Sequence, residues 1–124
     1  MKANDVSIER YGVIDVPGRP RICLGMAHGN WFTLCTTARD RSANIQGQID
    51  QILTTFDGDI AEAGVDKSRL LSAQIWLRRM RDFGVLTEKW SSWIDPANPP
   101  TFSCIRADMS TESALVEIRI NAAR

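Results

Sequence analysis

The chain has 124 residues, of which 44% are hydrophobic, so it is long enough to bury one core and too short for two domains. Its 15 Lys and Arg residues balance its 15 Asp and Glu residues, which excludes a strong net field toward nucleic acid or an anionic membrane. The first residues lead into no long apolar run, and no segment approaches the roughly 20 apolar residues of a membrane span. We therefore expect a single cytoplasmic domain over residues 1–124.

The three cysteines, Cys23, Cys35 and Cys104, are not spaced as metal ligands or as a redox pair. We expect them to be reduced thiols, mostly buried. The only histidine, His28, lies in a predicted turn. With no second histidine and no cysteine at ligand spacing, the sequence predicts no metal site.

The first elements are predicted to be strands. Residues 6–11 alternate weakly, with Val6 and Ile8 on one side, and predict a short edge strand. A loop rich in proline and glycine follows. Two alternating runs, from Ile22 to Met26 and from Trp31 to Cys35, flank the turn sequence His28-Gly29-Asn30 and predict a β-hairpin.

A long amphipathic helix is predicted next. Polar cap residues at 39–44 precede it, and Gly64 lies where a C-terminal cap belongs. We expect the polar residues of this helix, Gln48 among them, to face solvent. We expect Gly47 and Gly58, which lie inside the helix, to allow it to pack closely against a neighbouring element. The apolar stripe consists of Ile45, Ile49, Ile52, Phe56 and Ile60.

A strand and a second helix follow. In the strand from Leu70 to Leu77, we expect Leu71, Ala73, Ile75 and Leu77 to share the apolar face. The helix begins at Asp82 and ends before Asp95-Pro96. Its aromatic stripe, which predicts core packing, is Phe83, Leu86, Trp90 and Trp93. The basic residues before it predict a solvated rim, with an anion or partner contact as the alternative; these are Arg78, Arg79 and Arg81.

Two strands end the chain, one after Pro99-Pro100 and one from Leu115 to Asn121. The element order predicts an α+β fold in which a mixed sheet carries two helices on one face, because each strand-helix-strand passage favours a right-handed crossover. The other face also contains apolar residues, and the chain has nothing left to cover it. We therefore expect a homo-oligomer.

These features together resemble the RidA/YjgF family of reactive intermediate deaminases, also named L-PSP endoribonuclease and translation inhibitor. The residues that support the resemblance are Ala63-Gly64, 72–77, Arg81-Asp82-Phe83, Pro99-Pro100 and 115–118. It implies a chorismate-mutase-like fold and a homotrimer in which the sheets form a central β-barrel. It also implies a small-molecule cleft at each subunit interface and cofactor-free hydrolysis of enamines or imines to 2-keto acids and ammonia.

Carried over residue by residue, the resemblance places Phe102 where the family has its carboxylate-binding arginine, and Cys104 where a cysteine commonly follows. Glu117 falls on the first acid of the terminal Glu-Ile-Glu, and Arg119 on the acid associated with the catalytic water. Leu34-Cys35 replaces a Ser-Gly pair. No residue is therefore assigned as catalytic.

Strand alternation places Phe102, Cys104 and Arg106 on one face of the strand after Pro99-Pro100. Glu117 and Arg119 share one face of the last strand, which we expect to pair with it. This predicts a cleft that is apolar at one end and cationic at the other. The candidate ligand-binding residues are Cys35, Phe102, Ser103, Cys104, Arg106, Glu117 and Arg119.

Three functions remain open at this point. The first is a divergent deaminase in which Arg106 or Arg119 holds the substrate carboxylate, and the second is a non-catalytic trimer that binds a small organic anion. The third, RNA cleavage or translation inhibition, is disfavoured by the neutral charge and the lack of a histidine pair.

Overall fold

The structure is a computed structural model that describes residues 7–124, and its centre is one six-stranded mixed sheet in the order β1-β2-β3-β6-β4-β5. The predicted α+β class is confirmed. The strands are β1 (Ile8–Ile14), β2 (Ile22–His28), β3 (Trp31–Thr37), β4 (Leu70–Leu77), β5 (Thr101–Arg106) and β6 (Val116–Ala123). The helices are α1 (Ile45–Ala63) and α2 (Phe83–Trp93), and short 3₁₀ turns span Lys67–Arg69 and Met80–Asp82.

The predicted long helix is α1, and local signals set both of its ends. The Asn44 side chain accepts a hydrogen bond from the Gly47 N–H at 2.9 Å, which satisfies one of the free donors of the first turn. At the other end Gly64 has a φ of 71°, a left-handed conformation that glycine adopts without strain. The predicted apolar stripe lies against the sheet, with Ile49, Ile52 and Phe56 fully or almost fully buried.

The hairpin prediction is also confirmed. β2 and β3 pair antiparallel, and the two-residue turn Gly29-Asn30 joins them, with Gly29 at a φ of 59°. The predicted edge strand is β1, which pairs only with β2. Val6, which we placed in that strand, lies outside the described residues.

The strand order differs from the expected one at the end of the chain. β4 and β5 are parallel neighbours connected by α2, whereas β6 pairs antiparallel with β3 on one side and β4 on the other. The expectation that β5 and β6 pair is therefore wrong, because β4 lies between them. β6 is paired on both sides and has four of its eight residues buried, whereas β5 forms the edge of the sheet and has no fully buried residue.

Two apolar residues depart from their predicted burial. A β-bulge between Leu70 and Ser72 shifts the register of β4, so that Leu70 is buried and Leu71 is half exposed. Phe83, the first residue of α2, is also exposed, while Leu86, Trp90 and Trp93 are buried as predicted.

Both helices pack on one face of the sheet, as expected, and contribute to a single core. We call the other face, which no helix covers, the open face. The strand register assigns to it four side chains that are about half exposed, namely Ile8, Ile22, Trp31 and Ile105.

Candidate functional site

The pairing register divides the seven candidate residues between the two faces of the sheet, because directly paired residues point to the same side. Phe102 and Cys104 of β5 pair with the core residues Ala73 and Ile75, so they lie on the helix-covered side, as does Arg106 opposite Leu77. The open face carries the other four, which are Cys35, Ser103, Glu117 and Arg119.

Phe102 therefore does not face Arg119. Its ring lies 5.8 Å from the ring of Trp90 on α2 and is 39% exposed, at the edge of the sheet. Cys104, two residues later, is half-buried on the same side, and burial raises the pKa of its thiol. The predicted cleft with Phe102 at one end and Arg119 at the other is not formed within one chain, because the sheet separates the two side chains.

Cys35, Glu117 and Arg119 come together on the open face, and we call them the open-face cluster. Cys35 of β3 is directly opposite Arg119 of β6, and its thiol donates a hydrogen bond to Glu117 Oε2 at 3.3 Å. Burial, followed by the Glu117 carboxylate, raises the pKa of Cys35 to about 11, while the Arg119 guanidinium acts in the opposite direction. Cys35 is thus a neutral thiol at pH 7 and serves as a hydrogen-bond donor.

Arg119 is the exposed member of the open-face cluster. No carboxylate of residues 7–124 lies within 4.0 Å of its guanidinium. Glu117 is half-buried and is occupied on one oxygen by the thiol. The cluster therefore offers an anion an accessible guanidinium, and it offers a water molecule a carboxylate oxygen that can accept a proton.

Strand β4, which lies between β6 and β5, supplies two further residues that the sequence did not single out as candidates. Gln74 is opposite Arg119 on one side and Ser103 on the other, and its amide nitrogen donates to the Ser103 carbonyl at 3.4 Å. Trp76 is opposite Glu117 and is partly exposed on the open face. Both alternate with the predicted apolar residues Ala73, Ile75 and Leu77, but only the strand order shows that their face adjoins the cluster.

Gln48 is another residue whose position was predicted wrongly, since it is fully buried rather than facing solvent. Its Nε2 donates to the carbonyls of Arg41, Ala43 and Ser113 at 3.3, 3.1 and 3.0 Å. Its Oε1 accepts the Leu115 N–H at 2.9 Å. These bonds fix the start of β6, two residues before the carboxylate of the cluster, and they compensate for burying a polar side chain.

The part of the chain that the structure describes holds neither a metal-binding group nor a membrane helix. Within residues 7–124 no three His, Cys, Asp or Glu side chains form a group that could hold a metal ion. None of the helices described is both long and apolar enough to cross a membrane.

The chain is similar in sequence and in fold to known proteins. The sequence model described as Endoribonuclease L-PSP matches residues 33–124. A RutC family protein from Haemophilus ducreyi is 34% identical over 84 residues, which cover 68% of this chain and 72% of that protein. A crystal structure of an uncharacterised Pseudomonas aeruginosa protein shares 32% identity with a TM-score of 0.82, over 95% of this chain and 99% of the other. A YjgF family protein from Neisseria meningitidis, at 24% identity, has the same fold with a TM-score of 0.80, over 95% of each chain.

Proposed function

The chain belongs to the endoribonuclease L-PSP family, which includes the RidA, YjgF and RutC proteins, and from this premise we propose that it binds a small organic anion in a cleft between copies of itself. The observation that carries the proposal is the exposed guanidinium of Arg119, which has no carboxylate partner among residues 7–124 and lies beside Glu117 and Cys35. A carboxylate ligand would pair with this guanidinium.

The cleft is proposed between copies because the candidate residues lie on opposite sides of one sheet. Phe102 and Cys104 at the β5 edge of one copy can approach the open-face cluster only if that cluster belongs to another copy. The exposed apolar side chains of the open face, Trp31 and Ile105 among them, support such a contact. We propose a homotrimer in which three open faces form a central β-barrel, as the family resemblance implies.

In this arrangement the ligand is a small anion with an apolar part. Arg119 binds its carboxylate, and Ser103 lies on the same face, where its hydroxyl can donate a hydrogen bond. The partly exposed ring of Trp76 beside Glu117, and Phe102 of the neighbouring copy, provide apolar contacts. The ligand class is therefore an organic acid with an alkyl or aryl substituent rather than a polyanion.

Hydrolysis of a reactive imine or enamine is the second candidate, and the position of Glu117 favours it. Arg119 would hold the carboxylate of a 2-imino acid, and Glu117 would accept a hydrogen bond from a water molecule. As Glu117 takes a proton from it, this water would add to the imine carbon. The proton removed from water would pass to the imine nitrogen, which gives a carbinolamine. The hydroxyl proton of the carbinolamine would then move to the nitrogen as the carbon-nitrogen bond breaks, which gives a 2-keto acid and ammonia. No cofactor enters this reaction. Cys35 is not the nucleophile, because its thiol is protonated at pH 7.

Cleavage of RNA is not proposed, although the family is described as an endoribonuclease. The chain has no net charge and one histidine, so it offers neither a strong attraction to phosphates nor a histidine pair for acid-base catalysis.

The binding proposal is tested by titrating 2-oxobutanoate, phenylpyruvate and benzoate while measuring melting temperature and heat of binding. We expect at least one acid to bind and Arg119→Gln to weaken it by about tenfold or more, the effect of losing a charged hydrogen-bonding partner. Arg81→Gln removes an exposed arginine elsewhere and should leave binding unchanged. Equal binding by wild type and Arg119→Gln would refute the proposed site.

The two candidates are separated by following the hydrolysis of 2-iminopropionate. A deaminase should accelerate the reaction above buffer, and Glu117→Gln should lower the turnover while the product analogue still binds. If wild type gives no acceleration but binds the organic acids through Arg119, the protein is a binding module.

A further inference from the structure

A second basic site lies at the carboxyl ends of the parallel strands β4 and β5. The structure has a depression of about 390 Å³ there, and its lining residues are Arg78, Arg106, Ala107 and Asp108. We call it the basic depression. The carboxyl ends of neighbouring parallel strands are a common place for ligands, because the loops that follow the strands diverge there.

Arg78 is fixed in position, unlike an ordinary surface arginine. Its Nε donates to the Ala114 carbonyl at 2.8 Å and its Nη2 to the Thr111 carbonyl at 3.1 Å. These bonds hold the half-buried guanidinium against the loop between β5 and β6, while Nη1 has no acceptor among residues 7–124. The sequence predicted a solvated rim here, and for Arg78 that prediction is wrong. A guanidinium already ordered by the protein loses little freedom when it binds an anion.

Arg106 supplies the second positive charge, since its exposed side chain also lines the basic depression. No carboxylate of residues 7–124 lies within 4.0 Å of its guanidinium. The lining thus has two arginines, and Asp108 is its one acidic side chain. The local charge is therefore positive in a chain whose total charge is zero.

We propose that the basic depression binds the phosphate of a small phosphomonoester. A phosphate dianion has three acceptor oxygens and can bind the free nitrogen of Arg78 and the guanidinium of Arg106 together. The site does not depend on the function proposed above. Arg106 is on the helix-covered side of β5, whereas Arg119 is on the open face of β6, two strands away, or about 10 Å at the usual strand spacing.

The test is calorimetric titration of the full chain with methyl phosphate in a buffer of low ionic strength, where weak ion pairing is least screened. We expect Arg106→Gln to weaken binding about fivefold, the scale of an exposed ion pair, and Asp108→Asn to strengthen it by removing the opposing charge. Arg78 is left unchanged because it also holds the loop. Unchanged affinity in Arg106→Gln would overturn the proposal.

Two controls distinguish a phosphomonoester in the basic depression from an anion on the open face and from a polynucleotide. Arg119→Gln should bind methyl phosphate as wild type does, and loss of binding in that variant would assign the anion to the open face instead. A single-stranded oligouridylate should bind no more tightly per phosphate than methyl phosphate. Tighter binding would identify a polynucleotide backbone as the ligand and contradict the small-molecule site.

Discussion

Cys35 has a carboxylate and a guanidinium as neighbours, and they shift its pKa in opposite directions. Burial and Glu117 raise the pKa from the ordinary 9.0 to about 11, and Arg119 lowers it. Two pKa units correspond to a roughly hundredfold smaller thiolate fraction near pH 8. Since the thiolate is the reactive form, we expect Cys35 to react slowly with iodoacetamide.

Because Glu117 and Arg119 shift the pKa of Cys35 in opposite directions, substituting each of them tests the geometry of the open-face cluster. In a Cys23→Ser, Cys104→Ser background, the midpoint of the alkylation rate against pH should fall in Glu117→Gln and rise in Arg119→Gln. The midpoint pH reports the pKa of the thiol, whereas the steric access of the reagent changes only the height of the rate profile. A shift in the same direction in both variants would show that the two charges do not flank the thiol.

The same thiol makes stability depend on pH. Its folded pKa of about 11 lies above the ordinary 9.0, so the folded state retains the proton over a range in which the unfolded state loses it. The contribution of the protonated Cys35 thiol to the free energy of unfolding is complete below pH 9, and it is lost as the pH rises toward 11. Cys35→Ser removes this ionisation, so its melting temperature should fall less steeply over that range than that of wild type.

At the scale of single elements, the sequence predicted most helices and strands because their signals are local. The stripe from Ile45 to Ile60, the cap at Gly64 and the Gly29-Asn30 turn act through neighbours a few residues away. Gln48 was misplaced because it borders the apolar stripe, and its partners Ser113 and Leu115 are distant in the chain. No local pattern reveals such a contact.

The two interior glycines of α1 illustrate the same limit. Both were expected to allow close packing, yet an added Cβ at Gly58 would meet no heavy atom within 4 Å, whereas one at Gly47 would lie 2.9 Å from the Ala43 Cβ. The expectation for Gly58 is therefore wrong. We predict that Gly58→Ala stabilises the protein by about 1 kcal/mol, because alanine loses less backbone entropy in a helix. Gly47→Ala, the matched control, should give a lower melting temperature than Gly58→Ala at the same protein concentration. The reverse order would contradict the packing described.

At the scale of the whole molecule, the sequence predicted the layer but not the strand order. β4 and β5 pair in parallel through the α2 connection, but the crossover rule used to place the helices does not say which gap the last strand enters. β6 enters between β3 and β4, where Ile118 and Ile120 are fully buried. With β4 between β5 and β6, the register pairs Phe102 with Ala73 and Arg119 with Gln74, so the two side chains lie on opposite faces of the sheet. A site containing both is therefore proposed between two copies of the chain.

Association of the open faces is the last prediction, and it concerns the whole molecule. We expect light scattering to give a mass three times the 13.9 kDa of the chain. Ile105 is 48% exposed on the open face, and Val13 is 54% exposed on the opposite side of the sheet. Because a charge cannot be buried unpaired at low cost, Ile105→Glu should reduce the mass while Val13→Glu does not. If organic-acid binding disappears together with the trimer in Ile105→Glu, the cleft forms between copies; a monomer that still binds through Arg119 would place the whole site on one open face.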